Sequence, residues 1–528
     1  MRPRDKFYSI LYFLLLSAAF LYLANFILFS DIRKLVSSTP DDASYYLGIA
    51  ENYSGGLGLT FDGINKTNGF QPLWQILLIP IFIFFRASPE TMLRIVLLFQ
   101  LFLITASALI FFRILAFYFE KIIILLSGSL FIVFVFFQSV NGMETALMIF
   151  MISIILFIVI KMKIFSGRNI KKEIVWGMML GLLMLIRLDT VFIVISIAGF
   201  NLYYILFVSK NSKEDFLRIS IIMIAAILTI SPYLLYNYIS FGNFIPISVY
   251  LKYGFNEAPL SDTLREILRY RETYFALIAI IYFIWFLFNS KRIKQNTDYF
   301  FCLSLAVLEL GIMFSFVYLI FFLDWVIFYW YFIPYSLFIS LVICIPAQYI
   351  LSFKKIITGK LLILSITFLI AFYWGYKIYI GYRTGYDNPL GNWSVESYNA
   401  AQWSQANTEP SDVFAMKDTG HFGFFSNRNV INLDGLVNNF DYQDILKNKK
   451  LNEYLKNKKV KYIVQHAIWN RDDIVEGKYD TLNLNYMSHK YSVHSDPIIV
   501  KKENEVYRSA SYFDGKHKVV FLIWKLNP

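Results

Sequence analysis

Two adjacent carboxylates, Asp41 and Asp42, stand in a polar stretch between two long apolar segments. The stretch, residues 37–74, also carries Glu51, Asp62, three glycines in Gly55-Gly56-Leu57-Gly58 and two Asn-rich turns. Paired carboxylates at such a boundary suit acid–base work, in which an oxygen takes the proton of a hydroxyl. The plainer reading is a solvated loop whose aspartate caps a helix. Either way, a loop this polar cannot lie in hydrocarbon; it faces water or a protein-lined cavity. Further charges flank later apolar runs: Glu144 in Asn141-Gly142-Met143-Glu144-Thr145, Arg187 and Asp189 around Leu188, Lys252 near Tyr250, and Asp324-Trp325 ahead of Trp330-Tyr331.

The elements that must position these groups are membrane helices. Of 528 residues 57% are hydrophobic and 16% charged, and many apolar runs reach the length of about 20 residues that crosses about 30 Å of hydrocarbon. Apolar segments run at 7–29, 72–86, 92–117, 121–138, 144–162, 173–187, 189–208, 216–238, 273–289, 298–322, 326–346 and 361–380. The first is too long for a signal-peptide core and lacks a small-residue cleavage site, so it reads as a retained span with its N-terminus inside. Basic clusters set the parity: Lys161/Lys163/Arg168/Lys171/Lys172, Lys210/Lys213/Arg218, Lys291/Arg292/Lys294 and Lys354/Lys355/Lys360 all belong on the cytoplasmic side. Counting every segment as a span puts the first cluster outside. Dropping 72–86, which is short and holds Pro72 and Pro80, repairs every later loop. The expectation is eleven spans, one large outer loop at 30–91, and a cytoplasmic N-terminus. That topology collects Asp41, Asp42, Glu144, Arg187, Asp189, Lys252, Asp324 and Trp330-Tyr331 on one outer face. Each charge taken singly is equally well a span-end charge; their shared side favours a functional grouping.

Past residue 380 the composition turns polar. Short β-like runs at Val413–Met416, Val430–Leu433, Val460–Gln465 and Val519–Trp524 surround a Lys-rich helical stretch at 441–458. This predicts a small α/β domain at 381–528 outside the membrane, after a membrane domain at 1–380. Its lysines read as a solvated face. Asp418, His421 and Asp434 can serve turns or reach the site. Cys302 and Cys344 both lie in apolar runs, and all five histidines (His421, His466, His489, His494, His517) lie in the tail, so neither a disulfide frame nor a membrane-embedded histidine site is suggested. The net charge of +12 reflects cytoplasmic loops and headgroup contact, not nucleic-acid binding.

The run Pro40-Asp41-Asp42-Ala43-Ser44-Tyr45-Tyr46, with Gly58–Gly63 and Thr67-Asn68-Gly69-Phe70-Gln71-Pro72-Leu73-Trp74, resembles the first outer loop of the GT-C superfamily. These are multi-span glycosyltransferases that use polyprenyl-phosphate sugars; the mannosyltransferase and aminoarabinosyltransferase branches are the nearest in look. Asn141–Leu147, Arg187–Asp189, Trp330–Pro334 and Val430–Val437 are similar to features of bacterial members. No Trp-Trp-Asp oligosaccharyltransferase signature stands in the tail.

The resemblance implies an all-α, GT-C-like membrane domain and an inverting transfer of a sugar, hexosyl or pentosyl, from a polyprenyl-phosphate donor to a glycan, lipid or protein acceptor of the cell envelope. It implies a multi-pass protein of the cell membrane. The first acid of the pair, Asp41, would be the base, and Asp42 would orient the acceptor or the loop. Glu144 would be a second carboxylate, near the acceptor or on a metal. No cofactor is required; a divalent metal is compatible, with no metal ligands assigned. Few cations on the outer face could meet the phosphate: Arg187, Lys252, Lys66 and the arginines of 265–271, with Arg187 and Lys252 favoured. Lys252 reads equally well as a snorkelling lysine. Related aminoarabinosyltransferases carry a phosphate-contacting lysine where this chain has Gln71, which cannot supply the charge. Tyr45, Tyr46, Trp330 and Tyr331 would stack on sugar or line the lipid groove, or belong to the interfacial aromatic belt; Asp189 would join the substrate contacts. Two other readings stand beside this one: a glycolipid transporter or flippase, and a non-catalytic scaffold of the same fold. Matched halves with mid-membrane charges would favour the transporter. Retention of both aspartates disfavours the scaffold.

Overall fold

The computed structural model describes residues 3–162, 169–207, 211–254, 260–270, 273–293, 299–352, 356–380, 392–468, 481–482, 495–514 and 517–526. Of the residues singled out above, Lys163, Arg168, Lys210, Arg271, Lys294, Lys354, Lys355, His489 and His494 lie outside the described residues.

The chain begins with α1 (Pro3–Phe29), α2 (Ile32–Ser38), α3 (Asp41–Ser54), α4 (Pro72–Phe85), α5 (Pro89–Leu115), α6 (Lys121–Phe131), α7 (Thr145–Met162), α8 (Ile170–Ile186) and α9 (Val191–Phe207). It continues through α10 (Ser212–Phe241), α11 (Ile247–Lys252), α12 (Leu260–Ile267), α13 (Thr273–Ile293), α14 (Tyr299–Phe321), α15 (Ile333–Val342), α16 (Cys344–Ser352) and α17 (Ile356–Ile380).

Each apolar segment of the sequence is mainly helical among the described residues. Among the described residues, seven helical segments are long and apolar enough to cross a membrane: Lys6–Phe29, Pro89–Leu115, Leu188–Phe207, Ser212–Phe241, Phe301–Phe321, Tyr329–Ser352 and Thr358–Tyr376. The remaining expected spans are shorter helices, at Lys121–Phe136, Thr145–Val159 and Thr273–Asn289, and α8 has 17 residues. The segment set aside as too short, α4, has 14 residues, about 21 Å at 1.5 Å per residue. It packs on α3 and α8 and buries Trp74, Leu78 and Phe82, with Trp74 stacked on Phe99 of α5.

Two boundaries differ from expectation. α10 runs through Pro232 and beyond the expected end at 238, stopping only at Gly242, whose φ of 71° is left-handed. The run 326–346 breaks into a 3-10 turn at Tyr329–Phe332, then α15 and α16, with Pro334 at the start of α15 and Pro346 near the start of α16. Large apolar side chains such as Ile239 and Phe288 stay exposed on these helices, as surfaces bathed in lipid require.

The tail is a small α/β domain. It comprises α18 (Trp393–Asn407), β1 (Val413–Met416), α19 (Gly420–Ser426), β2 (Asn429–Asn432), α20 (Phe440–Lys447), α21 (Leu451–Asn457) and β3 (Val460–Ile468). Then follow β4 (Thr481–Leu482), β5 (Ile498–Ile499), β6 (Glu505–Arg508), β7 (Tyr512–Asp514) and β8 (His517–Lys525). The main sheet has the order β2-β1-β3-β8-β6, with β7 on β8; β4 and β5 pair separately. β2, β1 and β3 are parallel, while β8 is antiparallel to β3. β3 is buried along almost its whole length, as a central strand covered on both faces must be. The Lys-rich stretch is two helices rather than one, because the chain turns at Lys449 with φ 56°.

Candidate active site

Consecutive residues of a helix point about 100° apart, so Asp41 and Asp42, the first two residues of α3, cannot face the same way. Asp41 faces the tail, with Ser44 and Tyr45 three and four places on. Its Oδ2 accepts the Gly420 N–H at 2.8 Å and its Oδ1 the His421 N–H at 2.7 Å. Burial pushes the Asp41 carboxyl well above the usual carboxylate range, against the pull of these two donors. The His421 ring lies between Ser44 Oγ, 2.8 Å from Nδ1, and the Thr39 carbonyl, 3.2 Å from Nε2. A carbonyl can only accept, so Nε2 carries the proton and Nδ1 accepts from Ser44. Burial pushes this imidazole down to about 4.

Asp42 faces the other way, into a cavity of about 230 Å³. Burial raises its carboxyl and Lys252 pulls it back down. The Lys252 ammonium lies 3.9 Å from Asp42 Oδ2 and 5.8 Å from the centre of the Trp325 ring. Burial disfavours that cation, but Tyr331, Asp42 and Asp434 outweigh it and hold the ammonium above its ordinary value. Across the cavity the charges form a chain. The Tyr46 hydroxyl donates to Glu144 Oε2 at 3.0 Å. Arg187 Nε lies 3.7 Å from Glu144 Oε1 and 2.9 Å from Asp189 Oδ1. The same guanidinium donates to the Trp330 carbonyl at 3.0 Å and lies over the Tyr331 ring. Glu144 and Arg187 are buried, so each needs this compensation.

The turn Thr67–Trp74 pins the pieces together. Asn68 Oδ1 accepts the Ile247 N–H at 3.0 Å, and its Nδ2 donates to Asn237 Oδ1 at 3.2 Å. That bond holds the start of α11, the helix that ends at Lys252. Gly69 admits the tail: a Cβ there would overlap the carbonyl oxygen of Leu436, which itself lines the cavity. Gln71 Oε1 accepts the Leu188 N–H at 3.2 Å and so fixes the Arg187–Asp189 turn. Trp74 Nε1 donates to the Gly142 carbonyl at 3.2 Å. The Gly142–Glu144 turn is also held from within the bundle by Gln100, whose Oε1 accepts the Gly142 N–H at 2.7 Å and whose amide donates to the Met143 carbonyl.

The cavity thus brings together Asp42, Tyr45, Tyr46, Gln71, Glu144, Arg187, Asp189, Lys252, Trp330 and Tyr331. Asp41 is not among its lining residues. Its carboxylate instead receives the first two amides of α19, 379 and 380 residues away. Lys66, Arg265 and Arg269 are exposed and do not line the cavity. Asp62 closes its own turn, accepting from Ile64, Asn65 and Thr60. Asp324 does not line the cavity, but its backbone N–H donates to the Lys252 carbonyl at 3.0 Å. Sequence reasoning left the roles of Asn432, Asp434 and Leu436 open. Asp434 Oδ2 accepts from the Tyr45 hydroxyl at 3.3 Å and from the Asp418 N–H at 3.2 Å, while Oδ1 accepts the Leu436 N–H at 2.8 Å. Their signal in the sequence is the run Val430–Val437, with Asp434 able to serve a turn or reach the site; here it does both. Among the described residues, no group of three His, Cys, Asp or Glu side chains converges as metal ligands.

Residues 388–512 match a family model described as a domain of unknown function, DUF8728. No curated protein matches the sequence. Among solved structures, the chain is similar to ArnT from Cupriavidus metallidurans bound to undecaprenyl phosphate. The TM-score is 0.52 at 7% identity, over 96% of this chain and 97% of that one. An alignment that long with so little identity is a likeness of fold. The chain is a polytopic membrane protein with an ArnT-like fold and a small α/β domain at its C-terminal end.

Proposed function

We propose that this protein is a membrane glycosyltransferase that moves a sugar from a polyprenyl-phosphate donor to a cell-envelope acceptor. The observation that carries the reading is the Asp42–Lys252 pair, a carboxylate and an ammonium 3.9 Å apart in one cavity. The ArnT-like fold supports it, and so does the undecaprenyl phosphate bound to that neighbour. A second, apolar cavity of about 70 Å³ lies among α7, α8, α9 and α14, lined by residues such as Ile155, Leu180, Ile197 and Val307. Phe192 lines the first cavity and Ile193 the second. A lipid-linked donor needs apolar surface of this kind beside its reacting end.

In this reading Asp42, not Asp41, is the base. Both Asp41 oxygens already hold backbone N–H groups, and Glu144 holds Tyr46 and Arg187. Asp42 takes the proton of the acceptor hydroxyl. The freed oxygen bonds to the anomeric carbon as the bond from that carbon to the phosphate oxygen breaks. The electron pair leaves with the phosphate, and Lys252 meets its charge. One displacement of this kind inverts the anomeric centre. Arg187 is less suited to the phosphate, because its donors serve Asp189 and the Trp330 carbonyl. Its role is to keep Glu144 and Asp189 in place. Aromatic faces of Tyr45, Trp330 and Tyr331 suit a sugar ring. The reaction needs no metal. The reading places the N-terminus in the cytoplasm, residues 1–380 as the catalytic membrane domain, and the tail, 381–528, on the outer side of the cell membrane.

The test is mass spectrometry of envelope lipids and glycans from cells lacking the protein, with wild type or Asp42→Asn restored. Loss of one sugar from a glycan, with accumulation of a lipid-phosphate donor, rescued by wild type alone, is the expected result. Full rescue by Asp42→Asn would remove Asp42 as the base and bring the flippase reading forward.

A further inference from the structure

The tail holds the start of α3 at three places, of which the Tyr45 contact lies at the cavity wall. Gly420 and His421 give their backbone N–H groups to the two oxygens of Asp41, at 2.8 and 2.7 Å. The His421 ring bridges Ser44 and Thr39. Asp434 and Asn432 hold the Tyr45 hydroxyl, at 3.3 and 3.4 Å. Beyond α3, the carbonyl of Leu436 seats against Gly69, and Leu436 forms part of the cavity wall.

The fit is close enough to be specific. A Cβ on Gly420 would overlap the Asp41 backbone carbonyl, and one on Gly423 would meet the Phe61 ring. Asp418, one turn before α19, sits at φ 47° with its N–H on Asp434, so the loop that presents these amides holds a conformation L-residues rarely adopt. Such strain persists only where surrounding contacts over-determine it.

We infer that the C-terminal domain is a working part of the cavity: docked on α3 through Asp41, it sets the direction of Asp42 and Tyr45 and closes the cavity with Leu436. This assigns a role to the segment matched only as a domain of unknown function. Asp41 is then a positioning residue. A carboxylate gripped by two tail amides fixes the rotation of α3 about its axis. The next residue, Asp42, therefore points at the cavity and not at the tail. The inference takes from the proposed function only what fills the cavity; the docking stands on the contacts.

The test uses the full chain in lipid nanodiscs, with undecaprenyl phosphate as the probe. Hydrogen exchange by mass spectrometry is read at 41–46, 418–421 and 434–437, and at 121–131, which packs on α1, α15 and α17, as an internal reference. The variants are Asp41→Asn, which keeps one acceptor oxygen, Asp41→Ala, which keeps none, and Gly420→Ala, which leaves both aspartates intact but pushes the tail off α3. Misplacing a reacting group by about 1 Å costs on the order of 10²-fold in rate. Transfer should therefore fall about 10-fold in Asp41→Asn and about 10²-fold in Asp41→Ala and Gly420→Ala. Exchange should quicken in the same order at all three segments, with 121–131 unchanged, and the probe should slow exchange at 434–437 in wild type. Two results overturn the inference. In one, Asp41→Asn is as inactive as Asp41→Ala while exchange stays at the wild-type level. In the other, Gly420→Ala keeps wild-type transfer and exchange. Failure of wild type to bind the probe, with variant exchange still quickened, would instead refute the transferase reading and leave the docking in place.

Discussion

Lys252 offers the sharpest single perturbation of the proposed chemistry. It ends α11, a six-residue helix whose start is held by Asn68, and it places its ammonium 3.9 Å from Asp42 Oδ2 inside the cavity. Its side chain is 18% exposed and that of Asp42 is 22% exposed, so solvent screens the pair only in part. A hydrogen bond to a charged group is worth about 1.5–3 kcal/mol. Lys252→Met should then weaken binding of undecaprenyl phosphate by about 10- to 150-fold, at about 1.4 kcal/mol per decade. A second effect has a definite sign. Lys252 is the group that pulls the Asp42 carboxyl down against burial. Without it the carboxyl rises further, and a base that must be ionised is then ionised only at higher pH. The acid limb of the transfer rate against pH should move up in Lys252→Met. Titration of the probe into nanodisc-held protein gives the first quantity, and initial rates across pH give the second. Wild-type affinity together with an unmoved acid limb would refute the assignment of Lys252 to the phosphate and its pairing with Asp42.

Two further outcomes follow from charges held elsewhere. Arg187→Met leaves Glu144 and Asp189 without their cation; breaking a buried pair costs about 3–5 kcal/mol. The variant should therefore lose thermal stability more than it loses probe affinity, as measured by unfolding midpoints beside probe titration. His421 has a folded pKa of about 4 against 6.5. The unfolded chain takes its proton first on acidification, so this histidine's contribution is present above pH about 6.5 and is lost as pH falls towards 4. Its span is about 3 kcal/mol at 1.36 kcal/mol per unit. The Asp418 carboxyl, raised to about 7 by burial and by Asp434, and the raised Asp41 act with the opposite sign. The clean readout is therefore the difference between wild type and His421→Asn. The variant should gain on wild type as pH is lowered from 7 to 4, in the thermal midpoint of the tail.

Much of the fold can be read from residue order. Long apolar runs mark the helices because hydrocarbon tolerates little else, and the β-like runs of the tail coincide with β1, β2, β3 and β8. The breaks were harder. Pro232 sits inside a continuous helix, whereas the run 326–346, with Pro334 and Pro346, divides into shorter helices, so a proline in an apolar run does not by itself fix where a helix ends. The one Lys-rich helix is two, because Lys449 adopts a left-handed turn that side-chain type does not announce. At the site, residue chemistry points to a carboxylate pair, but it cannot tell which member faces which way. That depends on where residues 420, 421 and 434 dock, nearly four hundred positions downstream. Gln71 shows the same limit. It reads as a missing phosphate contact, yet its visible bond fixes the Arg187 turn.

The most direct measurement is the initial rate of sugar transfer from a polyprenyl-phosphate donor by purified protein in proteoliposomes, with wild type, Asp41→Asn and Asp42→Asn side by side. Loss of a general base costs on the order of 10²–10⁴-fold. Asp42→Asn should fall by about that factor while still binding undecaprenyl phosphate, and Asp41→Asn should keep a measurable fraction of the wild-type rate. Undiminished transfer by Asp42→Asn, or its loss in Asp41→Asn alone, would contradict Asp42 as the base.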